Sequence, residues 1–529
     1  MEIIQLTQAQ LAYWITSEGQ SNASGSFRLL REGRMPTKRT PLYKNLSEQE
    51  VFDKWFAILA QYEGDELFQP LIKYDKSRMS KVGPQGGYPP FDDRKDDFEA
   101  YYTTPIPGIL PIDEDIIRDM RFEIFQDSRD KRPLRVRTVV ERDLQDDKLD
   151  TNSGAPDFAK KSLPLVIDKA CKDTRGNKYL TYPMMLSTRS SRGKARFIFM
   201  APFSLTLVEK SYLYPIMDAI RKEKLPFFSA WEGFEQVELG FKAQDFFAYD
   251  LFVQQDYTAM DKSVNDTIIE IFFQVCAPLF QEAFQPEFRR VLQHMLTVPI
   301  MTALDKAYTG KHGLPSGSGF TNIVESIASY YIWKLNERNG VNITEAQGLG
   351  DDLAFAIKAD NPDDSFIESL KLLLSKNSMQ VGLLVEPEKQ GFDSNTLVYL
   401  QRFFDKRLES DGVVLGMYPS ILALNTAMNP ERFHDARKWS SKMEILRWIM
   451  ILENCKNLPY FEDLVQFFIE GDLFKLGLSD PEFFVKLPSL YENSKAIKGF
   501  VPTYNQASIN RGIYDFATFK YLLKLRDQL

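Results

Sequence analysis

Residues 347–358 read QGLGDDLAFAIK. Leu353, Phe355 and Ile357 alternate with smaller or polar residues as in a strand, and Gly350 ahead of Asp351-Asp352 suits the tight turn of a hairpin. Upstream, LPSGSGFTN at 314–322 is a glycine-rich loop that runs into a helical pattern of Ile323, Val324, Ile327, Ala328, Tyr331 and Leu335, closed by Asn339-Gly340. Asn322, Ser326 and Ser329 fall four and three apart, so they share a polar stripe on that helix. Farther upstream, FFAYDLFVQQ at 246–255 predicts a buried strand that delivers Asp256 at its end. Ser263 and Asp266 have capping-box spacing ahead of a second helix through Ile268, Ile269, Phe272, Val275, Cys276 and Leu279. Downstream, a helix from Asp363 leads to a predicted strand, VGLLV, at 381–385. The order is strand-helix, loop-helix, hairpin, helix-strand.

The chain has 529 residues, 44% hydrophobic, 13% aromatic and 26% charged. That balance builds a folded protein of two to four subdomains and excludes disorder as the main state. No apolar run is long enough to span a bilayer, and the start, MEIIQLTQAQ, lacks a basic and then apolar leader, so a soluble, non-secreted protein is expected. Cys171, Cys276 and Cys455 lack paired spacing, which argues against disulfides and thiolate zinc. His294, His312 and His434 are too dispersed for a local metal motif. Chemistry therefore falls to carboxylates.

The net charge of −8 is unusual for a nucleic-acid protein. Two basic clusters offset it: Arg189, Arg192, Lys194 and Arg196 in one, and Arg129, Lys131, Arg132, Arg135 and Arg137 in the other. Taken alone, either is as readily a solvated surface. The stretch SKVGPQGGYPPFDDRKDD, at 80–97, reads as a loop between units. From RWIMILENC to YLLKLRDQL the pattern is helical.

An acidic pair in a turn is, by itself, ordinary turn chemistry. With Asp256 at a neighbouring strand end it becomes a ligand set on rigid elements, suited to two magnesium ions about 3.5–4 Å apart, the arrangement used for in-line displacement at phosphorus. The conjunction carries the reading.

At this point the chain resembles the viral RNA-dependent RNA polymerases, and within them those of double-stranded RNA viruses of the picobirnavirus kind, with partitiviruses as second choice. The likeness covers about residues 185–410. DYTAMD resembles motif A, SGSGFTN motif B, GDD motif C, RGKARFIFMAP the basic motif F, and TLVYLQRFF at 396–404 motif E. The resemblance implies that Asp256, Asp351 and Asp352 hold the metals (two Mg2+, with Mn2+ able to substitute) and that Lys389 is the acid for leaving pyrophosphate. It implies nucleotide binding by Arg192, Lys194, Arg196, Asp261, Ser316, Gly317, Thr321 and Asn322. Among these, Asp261 and Asn322 would read the ribose 2'-hydroxyl; Asn322 is otherwise a helix-start residue bonding its own backbone. Lys389 in an acidic loop is equally a solvated lysine.

The expected fold is α+β, a right-hand polymerase fold with fingers, palm and thumb, an antiparallel palm sheet and a helical thumb. The expected divisions are an N-terminal extension or fingers at 1–90, fingers at 91–240, palm with motif A at 241–262, a fingers/palm return at 263–312, palm at 313–405, and helical thumb with C-terminal segment at 406–529. Segment 499–516, aromatic and irregular, is expected against the cavity. The implied activity is template-directed nucleotidyl transfer from ribonucleoside triphosphates, for viral genome replication and transcription. Implied partners are template and product RNA and the viral capsid protein, with no membrane, in the virion interior and host cytoplasm. A reverse transcriptase or other palm polymerase, which typically has an aromatic gate where this chain has Asp261, and an RNA-packaging protein without catalysis stay open.

Overall fold

A computed structural model describes residues 1–528 apart from 127, 147, 192, 361, 433–438, 481 and 495–511. Four strands form an antiparallel sheet in the order Ile343–Leu349, Asp352–Ile357, Leu251–Asp256, Gly391–Asp393. The two central strands bury nearly every side chain, which is why LFVQ and LAFAI read as near-continuous apolar runs. Helices Thr321–Arg338 and Asp364–Met379 pack together, the first of them also against Ile343–Leu349. Beyond them the predicted motif E is a hairpin, Thr396–Tyr399 with Arg402–Asp405.

Several local expectations change. Phe246–Ala248 is a 3-10 turn, and the strand is only Leu251–Asp256. Phe246 and Phe247 instead close an aromatic cluster with Phe241 and Phe252, so their hydrophobicity reports packing, not strand pairing. The helix Asp266–Cys276 is capped by Asn265, which accepts from the amides of Thr267 (2.8 Å) and Ile268 (3.3 Å). Ser263 is not its cap; its hydroxyl turns back to the carbonyls of Thr258 and Ala259. VGLLV is no strand either: Val381 and Gly382 turn back on the end of the preceding helix, Val381, Leu383 and Val385 are buried, and the edge strand comes later, at Gly391–Asp393. Gly382 has φ +79 in that passage, which breaks strand geometry.

A second sheet runs Glu2–Gln5, Lys306–Thr309, Ile300–Ala303, Met184–Ser191, Lys194–Met200. The basic run is thus a β-hairpin, with Arg189 opposite Arg196 and Ser191 opposite Lys194. Its tip reaches the C-terminal half of the chain: Arg189 forms a two-pronged ion pair with Glu431.

The first 90 residues do not form one unit. Leu6 to Leu30 pack in the core shared by both sheets, whereas Leu42 to Tyr74 lie in the core of the C-terminal helices. Asp75 is fully buried there and caps the helix Ser420–Met428 from outside its own chain segment, accepting from the amides of Ser420 and Ile421 (3.0 Å each) and from Tyr460 (2.8 Å). Burial pushes its carboxyl pKa up, against these hydrogen bonds. The C-terminal part is helical as predicted, in Ser420–Met428, Ser441–Glu453, Phe461–Gly471, Phe483–Ser494 and Ala517–Arg526. Of the segment expected against the cavity, 499–511 lie outside the described residues, while Ile513 and Phe516 are buried in the helical core. The three cysteines are buried thiols, and no described helix is long and apolar enough to cross a membrane.

Candidate active site

Asp256 and Asp352 face each other in register across adjacent strands, and Asp351 sits beside them at the hairpin turn. Gly350 holds the turn with φ +61, a conformation side-chain-bearing residues rarely adopt. The polar stripe on helix Thr321–Arg338 clamps this glycine: Ser326 accepts from its amide (2.9 Å), and Ser329 donates to its carbonyl (2.7 Å). The helix thereby positions the acidic turn. Both backbone groups of a buried turn are satisfied, which leaves the two carboxylates as its only variable chemistry.

Burial raises the pKa of all three carboxyls. Asp351 and Asp256 then raise Asp352 further, to about 7, and Asp256 and Asp261 raise Asp351. Cations act in the opposite sense: Lys389, Lys194 and Lys81 on Asp256, and Arg196 on both Asp351 and Asp352. The basic hairpin is therefore brought to the acidic turn. Arg192 lies outside the described residues. Sequence reading missed Lys81, which has no local motif and arrives by folding. The second basic cluster stays apart on the surface, where Arg137 pairs with Asp168 and Arg132 with Gln281.

Lys389 pairs with Glu386 (2.7 Å), and Glu386 also accepts from Thr258 (3.0 Å), two residues beyond Asp256. That shared carboxylate tethers the lysine near the end of the strand that carries Asp256. Its pKa is raised, first by the Glu386 hydrogen bond.

In the loop, Gly317 lies so close to the strand Lys194–Met200 that a Cβ there would sit 1.6 Å from the Phe199 carbonyl oxygen. The glycine is required by contact with the basic hairpin, a backbone partner that the sequence does not name. Thr321 turns its hydroxyl to the carbonyl of Pro315 (3.0 Å), and Ser318 to buried Glu209 (2.8 Å), which also accepts from the Gly319 amide (2.7 Å). Thr321 thus closes the loop. Ser316 lies at its exposed side. Glu209, on helix Phe203–Glu223, was not singled out by sequence because a lone glutamate in an amphipathic pattern looks like solvated surface; burial raises its pKa to about 7.

Asp261 accepts from the Tyr101 hydroxyl and from the Lys262 amide (2.9 Å). Asn322 does not bond its own backbone through its side-chain oxygen: Oδ1 accepts from the Trp231 indole N–H at 3.0 Å. Glu325, one turn along, faces Asp351 and Asp261, and burial followed by those two charges raises its pKa. A cavity of about 550 Å³ opens here, lined by Trp231, Asn322, Glu325, Asp351, Asp352 and Gln401 among others.

A family model described as viral RNA-dependent RNA polymerase matches residues 185–417, spanning the basic hairpin, both acidic strands and the motif E hairpin. Residues 185–417 belong to the viral RNA-dependent RNA polymerases. The chain is an RNA-directed RNA polymerase, a nucleotidyltransferase. It is 27% identical over 476 residues to a "Potential RNA-dependent RNA polymerase" of Human picobirnavirus (strain Human/Thailand/Hy005102/-), covering 85% of each chain. It also superposes on the crystal structure of the RNA-dependent RNA polymerase of a human picobirnavirus, with TM-score 0.83 at 22% identity over 98% of this chain and 99% of that one. The insertion loop deletion mutant of such a polymerase gives TM-score 0.81 at 22% identity, with the same coverage. These likenesses establish a right-hand polymerase fold along nearly the whole chain, and they leave the packaging-protein and reverse-transcriptase readings without support.

Polymerases of this family use divalent metal ions, and the acidic turn fits one. Its donors are hard carboxylate oxygens whose raised pKa reflects burial and mutual repulsion, both relieved by a dication. Among the described residues no three such side chains already converge on one point. Magnesium does not need that, because it is commonly bound through one or two carboxylates, with water and substrate phosphates completing its shell.

Proposed function

We propose that the polymerase copies RNA by two-metal nucleotidyl transfer, using magnesium held by Asp256, Asp351 and Asp352, in replication and transcription of a picobirnavirus-like double-stranded RNA virus. The observation that carries the metal site is the in-register pair Asp256–Asp352 with Asp351 at the adjoining turn. Magnesium bound there would favour the deprotonated 3'-hydroxyl and stabilise charge growing on the phosphoryl and pyrophosphate oxygens. The chain's own groups do the rest. Arg196 and Lys194 hold the triphosphate from the basic hairpin, the arginine fork matching phosphate oxygens. Lys389, released from Glu386, gives its proton to the departing pyrophosphate. Ser316 and Gly317 form the loop beside template and incoming nucleotide, with Thr321 holding that loop closed. Asp261 and Asn322 read the ribose, one accepting from and one donating to its 2'-hydroxyl; a deoxynucleotide leaves that pair unsatisfied, at a cost of ~1–3 kcal/mol. Template and product RNA and ribonucleoside triphosphates are its substrates, and the viral capsid is its partner in the virion interior and host cytoplasm.

The test is incorporation of labelled ribonucleotides on a defined single-stranded RNA with magnesium, wild type against folded Asp351→Ala. Template-dependent product from the wild type alone supports the metal site. Equal product from both removes Asp351 from the mechanism.

A further inference from the structure

Trp231 lies between the basic hairpin and the first acidic strand, in no motif that the sequence marks. Its indole packs on Phe228 (ring centroids 4.8 Å apart), which in turn stacks on Tyr330 of the helix that carries Asn322. The ring is thus a rigid arm held by its neighbours, and its N–H reaches Asn322 Oδ1 at 3.0 Å. Indole nitrogen can only donate a hydrogen bond, so the end of the amide facing it must be the oxygen. The amide nitrogen then takes the other side. It lies there together with Glu325 Oε2, each 3.3 Å from the position a Cβ on Gly350 would occupy, at the turn that carries Asp351.

We propose that Trp231 is a specificity-determining positioning residue: by occupying the carbonyl of Asn322 it locks the amide with its N–H2 toward the substrate, so that Asn322 can only donate to the ribose 2'-oxygen. The inference rests on the ribose reading of Asn322 given above. It assigns the two partners of the 2'-hydroxyl without ambiguity. Asn322 donates to the oxygen, and Asp261, whose carboxylate only accepts, takes the hydrogen. An amide free to flip would present its carbonyl half the time, and two acceptors cannot both be served by one hydroxyl hydrogen. Removing the indole N–H therefore weakens discrimination against deoxynucleotides more than it weakens nucleotide binding as such.

The experiment compares kcat/KM for ATP and 2'-deoxyATP on a primed RNA template in the wild type, Trp231→Phe, Asn322→Ala and the double variant, with thermal melting of each. Phenylalanine keeps a ring against Phe228 and lacks the N–H. The ribo-to-deoxy ratio is expected to fall about five- to tenfold in Trp231→Phe, and the double variant to fall no further than Asn322→Ala alone. If Asn322→Ala lowers the ratio and Trp231→Phe does not, the inference is wrong and the ribose reading stands. If both nucleotides lose efficiency by the same factor in Trp231→Phe, the tryptophan is only structural and the inference is overturned. If Asn322→Ala leaves the ratio unchanged, the ribose reading itself fails and takes the inference with it. Should Trp231→Phe melt early, a benzothiophene analogue of tryptophan at 231, bicyclic but without the N–H, gives the same readout.

Discussion

Asp351, exposed at the acidic turn, and Glu209, buried behind the glycine-rich loop, are both carboxylates near the active site, yet their replacement should read out differently. Asp351→Ala is expected to lower nucleotide incorporation by a thousandfold or more with little change in melting temperature; activity within tenfold of wild type would remove it from the metal site. Glu209 holds the glycine-rich loop through Ser318 and Gly319, so its signature is pH-dependent stability. Its folded pKa, about 7, lies above the ordinary 4.5. The folded state therefore binds the proton more tightly than the unfolded chain, and stability from this group is greatest below about pH 4.5 and falls as pH rises toward 7. The slope is at most about 1.4 kcal/mol per pH unit. Melting curves from pH 5 to 8 should show a shallower fall for Glu209→Gln than for wild type; parallel curves would show that another group titrates. The acids of the polymerase motifs were legible in the sequence because turn chemistry and a strand end marked them. Glu209, Lys81 and Trp231 were not, since each acts on a residue more than ninety positions away, and no local pattern records such a contact.

At the scale of elements, the acidic turn depends on a helix that begins almost thirty residues before it. Ser326→Ala removes the acceptor of the buried Gly350 amide and should cost about 1–3 kcal/mol, with a loss of activity exceeding that expected from the lower stability. Activity that merely tracks the fraction folded would deny the serine any role in placing Asp351. Gly317→Ala forces the loop from the Phe199 carbonyl; reduced incorporation with raised KM for ribonucleotides is the expected result, and wild-type kinetics would contradict the close approach. Helices and the hairpin were readable from 3.6- and 2-residue periodicity. The misreadings turn on Phe246 and on Val381, Leu383 and Val385, apolar side chains buried by tertiary packing outside any strand, which short apolar runs alone do not distinguish from strands.

Across the whole molecule, residues 42–75 tie the N-terminal part to the C-terminal helices. Asp75→Ala leaves two amides and the Tyr460 hydroxyl without their acceptor and should destabilise the protein by about 3 kcal/mol, read as a lower denaturant midpoint. A change under about 0.5 kcal/mol would mean that water replaces the carboxylate. Glu431→Ala, which breaks the partly exposed pair with Arg189, should cost no more than about 1 kcal/mol, because screening and side-chain entropy offset the attraction.

By itself the sequence determined the helices, the acidic turn and the strand that ends in Asp256, because period and turn residues are local, and its motif order carried the resemblance to viral RNA-dependent RNA polymerases. Only the tertiary structure decided how the first 90 residues divide between two cores, which cations reach the carboxylates, and which way the amide of Asn322 faces. Those outcomes depend on contacts between segments tens to hundreds of residues apart. Burial and hydrogen-bond partnership at such distances arise from the packed fold, not from any pattern along the chain.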